Sequence, residues 1–194
     1  MAGLIMKFLI LHGTDADSSK HWFPWLKSEL ESLGHEVWVP DLPDSDRPNI
    51  QKYNDLLLNS DWDFKDSVII GHSSGSVAIL GLLQALPSDV KINTAVLAGA
   101  FTKRLSESPS WEMISELFDK PFDFETIKQR ADKFLFIHSK DDPVCDINEA
   151  RKLCSQVDGE MIEFDGMGHF TTKLNPSFTK FPELLEVIKT KILL

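Results

Sequence analysis

Six short apolar segments recur along the chain, and each is nearly continuous rather than alternating with polar residues. Continuous runs of Val, Ile, Leu and Phe are typical of strands that are covered on both faces. The pattern therefore predicts a sheet buried between two other layers. The predicted strands are Lys7–Leu11, Glu36–Val39, Ser67–Ile70, Thr94–Ala98, Phe134–His138 and Glu160–Phe164.

The segments between these strands carry apolar residues at helical spacing. The first two predicted helices are followed by Gly34 and Pro87, residue types that commonly end a helix. Strands that alternate with helices predict a doubly wound α/β fold with a mostly parallel sheet and helices on both faces. The predicted helices are His21–Leu33, Ser74–Leu86, Asp146–Val157 and Phe178–Leu194.

Length and composition fit one globular domain over residues 1–194, with 42% hydrophobic and 26% charged residues. The net charge of −10 argues against nucleic acid and against an anionic membrane, because both bind clustered Lys and Arg. No apolar run approaches the roughly 18 residues of a membrane span. Cys145 and Cys154 lack metal-site spacing and fit a reducing compartment. We therefore expect a cytoplasmic monomer.

The strongest chemical signal lies between the third predicted strand and the helix that follows it. There Gly71-His72-Ser73-Ser74-Gly75 has the pattern G-x-S-x-G. In this context the chain turns sharply and exposes the serine at a helix N-terminus, where free N–H groups carry positive partial charge. Because Gly71 and Gly75 have no side chains, they would avoid steric overlap where the predicted helix crosses the strand. The pattern predicts Ser73 as a nucleophile; the alternative is a turn with small residues by chance.

A serine nucleophile requires a base within hydrogen-bond reach, and the base requires an orienting carboxylate. His169 alone among the six histidines falls in the loop after the last predicted strand, which predicts it as the base. The loop after the preceding strand contains Asp141 and Asp142, and spacing alone does not decide between them. Asp165 is nearer to His169 in sequence but lies in the loop of the base.

Two backbone N–H groups are candidates for stabilising an oxyanion. The Ser74 N–H directly follows the nucleophile at the predicted helix N-terminus. The turn after the first strand would supply the second donor, for which we select Thr14, although an ordinary turn that needs Gly13 explains the same residues.

Four of the remaining histidines receive structural interpretations. We expect His72, which lies inside the turn that carries Ser73, to pack or to help shape that turn. We expect His138 to satisfy a backbone group at the end of its strand. His21 and His35 flank a predicted helix, and we expect both at the surface.

Six segments of the chain form a combined pattern: His12-Gly13, His21–Lys27, Pro40–Pro43, Gly71–Gly75, Asp141–Pro143 and Gly168–Phe170. Together they resemble the small serine hydrolases of the YdeN and retinoblastoma-binding-protein type, within the α/β-hydrolase superfamily. The resemblance extends from about residue 6 to the end of the chain. It implies a compact, three-layer α/β-hydrolase fold with little or no lid.

The resemblance implies catalysis by Ser73, Asp142 and His169, with no metal and no organic cofactor. Asp142 is chosen because the acid of this family directly precedes a proline or its equivalent, here Pro143. Cys145 departs from the family pattern, since a proline is expected at its position in this loop.

The implied activity is hydrolysis of ester or amide bonds in a small-molecule or peptide-like acyl substrate, through an acyl-enzyme on Ser73. The sequence does not decide whether the enzyme also binds a protein partner. Two other hypotheses are a binding or regulatory module that keeps the hydrolase fold, and an acyltransferase that uses the same acyl-enzyme. An acyl pocket could be lined by Trp22, Trp25, Trp62, Trp111 and the many Phe residues, although aromatic residues more often pack in a core.

Overall fold

The computed structural model describes residues 4–101 and 111–194, and within them six strands form one open sheet. The strands are β1 Lys7–Leu11, β2 Glu36–Trp38, β3 Val68–His72, β4 Ile92–Ala98, β5 Ala131–Ser139 and β6 Glu160–Phe164. Their order is β2-β1-β3-β4-β5-β6, and every neighbouring pair is parallel. The six predicted strands are confirmed, with ends displaced by a few residues.

Helices connect the strands, as the alternating pattern predicts. The helices are α1 Phe23–Ser32, α2 Ile50–Leu58, α3 Ser74–Ala85, α4 Trp111–Ile114, α5 Phe124–Gln129, α6 Ile147–Gln156 and α7 Pro182–Lys191. A 3-10 turn, Ser115–Phe118, follows α4. Two predicted helices begin later than expected, because prolines occupy the first turns of α1 and α7, where no N–H is needed.

Helix α2 is absent from the sequence-based prediction. The Asn49 side chain caps it by accepting a hydrogen bond from the Lys52 N–H at 3.0 Å. Its buried residues are Tyr53, Asn54 and Leu57. A helix of nine residues repeats its apolar face too few times for the period to stand out, and one buried position is polar.

The two faces of the sheet bury separate cores, which confirms the three-layer arrangement. Phe8 and Ile10 of β1 pack into the core under α1 and α7. Leu9 and Leu11 point to the opposite core, which is covered by α2, α3, α5 and α6. Burial on both faces explains why the strands read as continuous apolar runs. Within the described residues, no helix has the length and apolar character that crossing a bilayer requires.

The N-terminus of α3 packs directly on the ends of β1 and β3, and two glycines permit the contact. A Cβ at Gly75 would lie 2.3 Å from the Leu11 carbonyl oxygen, and one at Gly71 would lie 2.4 Å from the Gly75 carbonyl oxygen. Both distances are too short for any side chain. From β1 the chain turns to β2 on one side and returns to β3 on the other. Ligand sites in open parallel sheets form at such a switch point, beside the carboxyl ends of the strands.

Candidate active site

Ser73 occupies the sharp turn between β3 and α3 in a strained backbone conformation. Its φ of 55° and ψ of −121° are sparsely populated by residues with a side chain. The Ser73 N–H donates to the Ala98 carbonyl at 2.8 Å. The Ser76 hydroxyl contacts the carbonyls of Gly71 and Ala98 at 2.8 and 2.9 Å. The sequence pattern gave no role to Ser76, which ties the turn to β4.

The structure brings Ser73, His169 and Asp142 into one hydrogen-bonded chain. His169 Nδ1 lies 2.7 Å from Asp142 Oδ2, and its Nε2 lies 2.9 Å from Ser73 Oγ. A carboxylate accepts hydrogen bonds, so Nδ1 carries the proton and Nε2 accepts from the serine hydroxyl. The Asp142 and His169 side chains are only 1% and 6% exposed. In this arrangement the serine proton can pass to an imidazole whose orientation is fixed by the carboxylate of Asp142.

The other oxygen of Asp142 is held by its own loop. Oδ1 accepts hydrogen bonds from the N–H groups of Val144 and Cys145 at 2.8 and 3.0 Å. Buried His138 donates from Nε2 to the Cys145 carbonyl at 2.9 Å, which confirms the expected backbone contact of His138. These contacts fix the carboxylate so that Oδ2 faces His169.

Asp141 has a separate structural task. Its Oδ1 accepts from the N–H groups of Gly166 and Gly168 at 3.0 and 3.3 Å, and from the Ser139 hydroxyl. The Ser139 hydroxyl, the largest influence, and these backbone donors lower the pKa of Asp141. Asp141 therefore joins the loop of the acid to the loop of the base. The sequence offered it only as a second candidate for the acid, because long-range backbone contacts leave no local signal.

Buried aromatic residues hold the backbone around His169. Trp22 is fully buried, and its indole N–H donates to the Phe170 carbonyl at 3.1 Å. His72 donates from Nε2 to the His169 carbonyl at 2.8 Å. Phe170 has a φ of 56°, which is strained for a bulky residue and requires such support.

The expectation that His21 lies at the surface is wrong. Its Nδ1 accepts from the Thr172 N–H at 3.1 Å, and the half-buried imidazole lines a cleft that also contains Ser73. Because α1 begins at Phe23, His21 belongs to the preceding turn, with a φ of 52°, rather than to a solvated helix flank.

The two residues proposed to supply the oxyanion donors are in side-chain contact. Ser74 is the first residue of α3, so its N–H has no acceptor within the helix. The Thr14 hydroxyl donates to the Ser74 hydroxyl at 3.0 Å, which ties the loop after β1 to the nucleophile turn. Thr14 lines the same cleft as Ser73.

The cleft above Ser73 has a volume of about 590 Å³. Its lining includes both apolar and polar residues. Residues 102–110 lie outside the described part of the chain, and α4, which follows them, borders this cleft through Met113 and Ile114. The apolar lining residues are Phe101, Met113, Ile114, Pro143, Val144, Cys145 and Leu174, and the polar ones are Thr14, Asp15, His21, His72, Ser73, His169, Thr171 and Lys173.

None of the four tryptophans considered for an acyl pocket belongs to the described lining. Trp22 lies in the core under α1, and Trp25 packs against the same core. Trp62 packs on the opposite core, and Trp111 stacks on Phe118 with ring centroids 5.8 Å apart. The core interpretation is confirmed for Trp22, whereas Trp25, Trp62 and Trp111 are partly buried residues packed against the cores.

One group of possible metal ligands exists among the described residues, and it overlaps the hydrogen-bonded chain. Ligand atoms of Asp142, Cys145 and His169 lie within 4.8 Å of one another. Burial raises the pKa of the Cys145 thiol well above its usual value, whereas metals bind the thiolate. Asp142 and His169 already bind each other, so the geometry suits proton transfer better than metal binding.

Burial keeps several histidines neutral in the folded protein, and this generates a prediction about acid stability. Desolvation is the first cause that lowers each pKa below 6.5, and for His21 the value falls to about 4. Below pH 6.5 the unfolded chain binds protons that the folded chain does not, so stability is lost as the pH falls. The histidines with lowered pKa values are His12, His21, His35, His72 and His138.

We therefore expect the free energy of unfolding, measured by urea denaturation, to decrease from pH 7 to pH 5. The lowered aspartate pKa values act only below about pH 4 and do not contribute in this window. His72→Gln keeps a donor for the His169 carbonyl but cannot titrate, so its pH slope should be shallower than that of the wild type. Equal stability at both pH values would contradict this account.

Two known proteins are similar in sequence to this chain. The hydrolase YdeN of Bacillus subtilis (strain 168) is 30% identical over 180 residues, which cover 92% of each chain. The serine hydrolase RBBP9 of Rattus norvegicus is 26% identical over 175 residues, covering 88% of this chain and 86% of the relative.

Solved structures show the same fold. The crystal structure of the B. subtilis ydeN gene product superimposes with a TM-score of 0.86 at 28% identity, covering 95% of this chain and 97% of that one. An extracellular α/β-hydrolase from a Paenibacillus species gives a TM-score of 0.68 at 18% identity, with 95% and 98% covered. The family described as serine hydrolase matches residues 8–190. The chain therefore belongs to the serine hydrolase family and is an enzyme with the α/β-hydrolase fold.

Proposed function

We propose that this enzyme cleaves ester or amide bonds of small or exposed acyl substrates through an acyl-enzyme on Ser73. The observation that carries the proposal is the continuous chain of hydrogen bonds from Ser73 through His169 to Asp142, which opens into the cleft. A nucleophile, a base within reach and an orienter of that base are the elements that acyl transfer by serine requires.

The acylation step follows from this geometry. Ser73 Oγ attacks the carbonyl carbon while its proton passes to His169 Nε2, and Asp142 stabilises the imidazolium that forms. The N–H groups of Ser74 and Thr14 bind the oxyanion. His169 then gives the proton to the leaving alcohol or amine as the bond to the carbonyl carbon breaks.

Deacylation repeats these steps with water. His169 removes a proton from the water molecule as its oxygen attacks the acyl-enzyme. The proton returns to Ser73 Oγ when the carboxylic acid leaves, so the enzyme is regenerated without net change.

The cleft supports a substrate of modest size. Its volume of about 590 Å³ falls within the roughly 300–1,000 Å³ typical of small-molecule sites. Phe101, Ile114 and Leu174 supply apolar surface for an acyl chain. These features favour short esters and exposed acyl groups over long lipids.

The alternatives have weaker support. A binding module without catalysis has no need of a strained Ser73 aligned with a buried acid and base. An acyltransferase would use the same acyl-enzyme, so the two activities differ only in the acceptor. Adding an alcohol or amine acceptor and measuring the ratio of acid to transfer product separates them.

We also propose that the enzyme acts as a monomer in the cytoplasm. Cys145 and Cys154 are both buried and unpaired, which suits a reducing compartment. Light scattering should give the mass of one chain of 194 residues, and a dimer mass would contradict the monomer.

The proposed roles predict large losses of p-nitrophenyl ester hydrolysis on substitution. Ser73→Ala and His169→Ala should each lower kcat by about four to six orders of magnitude, because the residues act as a unit. Asp142→Asn should lower it by about four orders of magnitude, because an amide does not hold the imidazole tautomer.

The matched control is Asp165→Asn, which alters an exposed aspartate that pairs with Lys140 at 3.1 Å. Exposed ion pairs contribute little, so its kcat should stay within about twofold of the wild type. Ester turnover that survives in Ser73→Ala, or wild-type protein that hydrolyses no ester or amide, would contradict the proposed function.

A further inference from the structure

His21 lies in the wall of the cleft and has no task in the mechanism above. Its ring centroid is 5.9 Å from that of His72, next to the nucleophile, and both residues line the cleft with Ser73. Its backbone adopts a φ of 52°. Strained positions cluster at functional sites, and Ser73 and Phe170 are strained in the same neighbourhood.

The contact with Thr172 determines which nitrogen of His21 carries the proton. Nδ1 lies 2.8 Å from the Thr172 hydroxyl, which can donate or accept, and 3.1 Å from the Thr172 backbone nitrogen, whose N–H can only donate. Nδ1 must therefore accept, and the proton of the neutral ring resides on Nε2. Nε2 has no hydrogen-bond partner among the described residues, although the ring contributes to the cleft wall. His21 thus offers the cleft an N–H donor.

This donor is uncharged. Burial and, after it, the charges of Lys173 and His169 lower the pKa of His21 to about 4, so the imidazole is neutral near pH 7. Lys173 lies 3.3 Å from Asp15, with which it forms an ion pair at the rim of the cleft. Among the described lining residues, no unpaired cation is left to attract a carboxylate. The matching group on a substrate is an uncharged oxygen acceptor.

We propose that His21 is a specificity-determining residue whose Nε2–H binds a second oxygen of the substrate, an ether, hydroxyl or carbonyl oxygen separate from the reacting carbonyl. This inference rests on the proposed function. It assigns the enzyme to oxygen-bearing esters or amides rather than to plain alkyl ones, because an unpaired polar group in a site disfavours the analogue that lacks the acceptor.

The test compares esters that differ by one oxygen in place of one methylene. For the acyl side, the pair is p-nitrophenyl methoxyacetate and p-nitrophenyl butanoate. For the leaving-group side, the pair is 2-methoxyethyl acetate and butyl acetate. The measured quantity is the ratio of kcat/KM for the oxygen-bearing ester to that for its hydrocarbon partner, in wild type and variants. Comparing this ratio between wild type and variant cancels the difference in intrinsic reactivity between the two esters.

His21→Asn is the informative variant. Asparagine tolerates a positive φ and can accept from the Thr172 N–H, but it lacks a group at the position of Nε2. The ratio for one of the two pairs should fall about three- to tenfold, as expected for the loss of one neutral hydrogen bond. The pair that responds identifies the side of the substrate that His21 binds. His35→Asn, the same change at a histidine outside the cleft, should leave both ratios unchanged.

His21→Gln provides a second, independent readout, because its amide N–H can reach the position of Nε2 and should restore part of the ratio. It also serves if His21→Asn does not fold. Parallel losses on both members of each pair, with unchanged ratios, would show that His21 only supports the loop and would overturn the inference. Failure of the proposed function is distinct, since the wild type would then hydrolyse none of the four esters.

Discussion

The strained turn at Ser73 is the constraint on which the rest of the site depends. A φ of 55° presents the hydroxyl at the start of α3, and the conformation persists only because its surroundings impose it. The carbonyl of Leu11 and the backbone of α3 meet where Gly75 has no side chain. Ser76 anchors the turn to β4. The sheet and its glycines therefore place the nucleophile, and the chemistry follows from that placement.

The base and the acid depend on further hydrogen bonds that hold their side chains and their backbone in place. Backbone N–H groups hold one oxygen of Asp142, so the other faces His169. Asp141 joins the two loops, and His72 and Trp22 hold the backbone carbonyls of the base and of the residue that follows it. Because these groups are fixed before substrate arrives, little reorganisation is required during the reaction. The Nε2–H of His21 lies beside these contacts, and we propose that it binds the substrate rather than another group of the protein.

The sequence predicts the fold and the main site residues because their signals are local. Continuous apolar runs identify the strands, and G-x-S-x-G between a strand and a helix identifies Ser73. The choice of Asp142 over Asp141 required the family resemblance, since both precede the same turn. The roles of Asp141 and His21 depend on contacts with residues 25 and 151 positions away, which no local pattern records. The apolar pattern does not predict helix α2, because its buried face includes the polar residue Asn54.

The most direct test of the central claim is to locate the adduct of a fluorophosphonate probe by tandem mass spectrometry. The probe loses fluoride as a serine oxygen bonds to its phosphorus, so it reports an activated hydroxyl. We predict one adduct per folded chain, at Ser73 within the tryptic peptide 66–91, and none after denaturation in urea. An unlabelled folded protein, or adducts distributed over other serines and unaffected by unfolding, would contradict the claim that this fold activates Ser73.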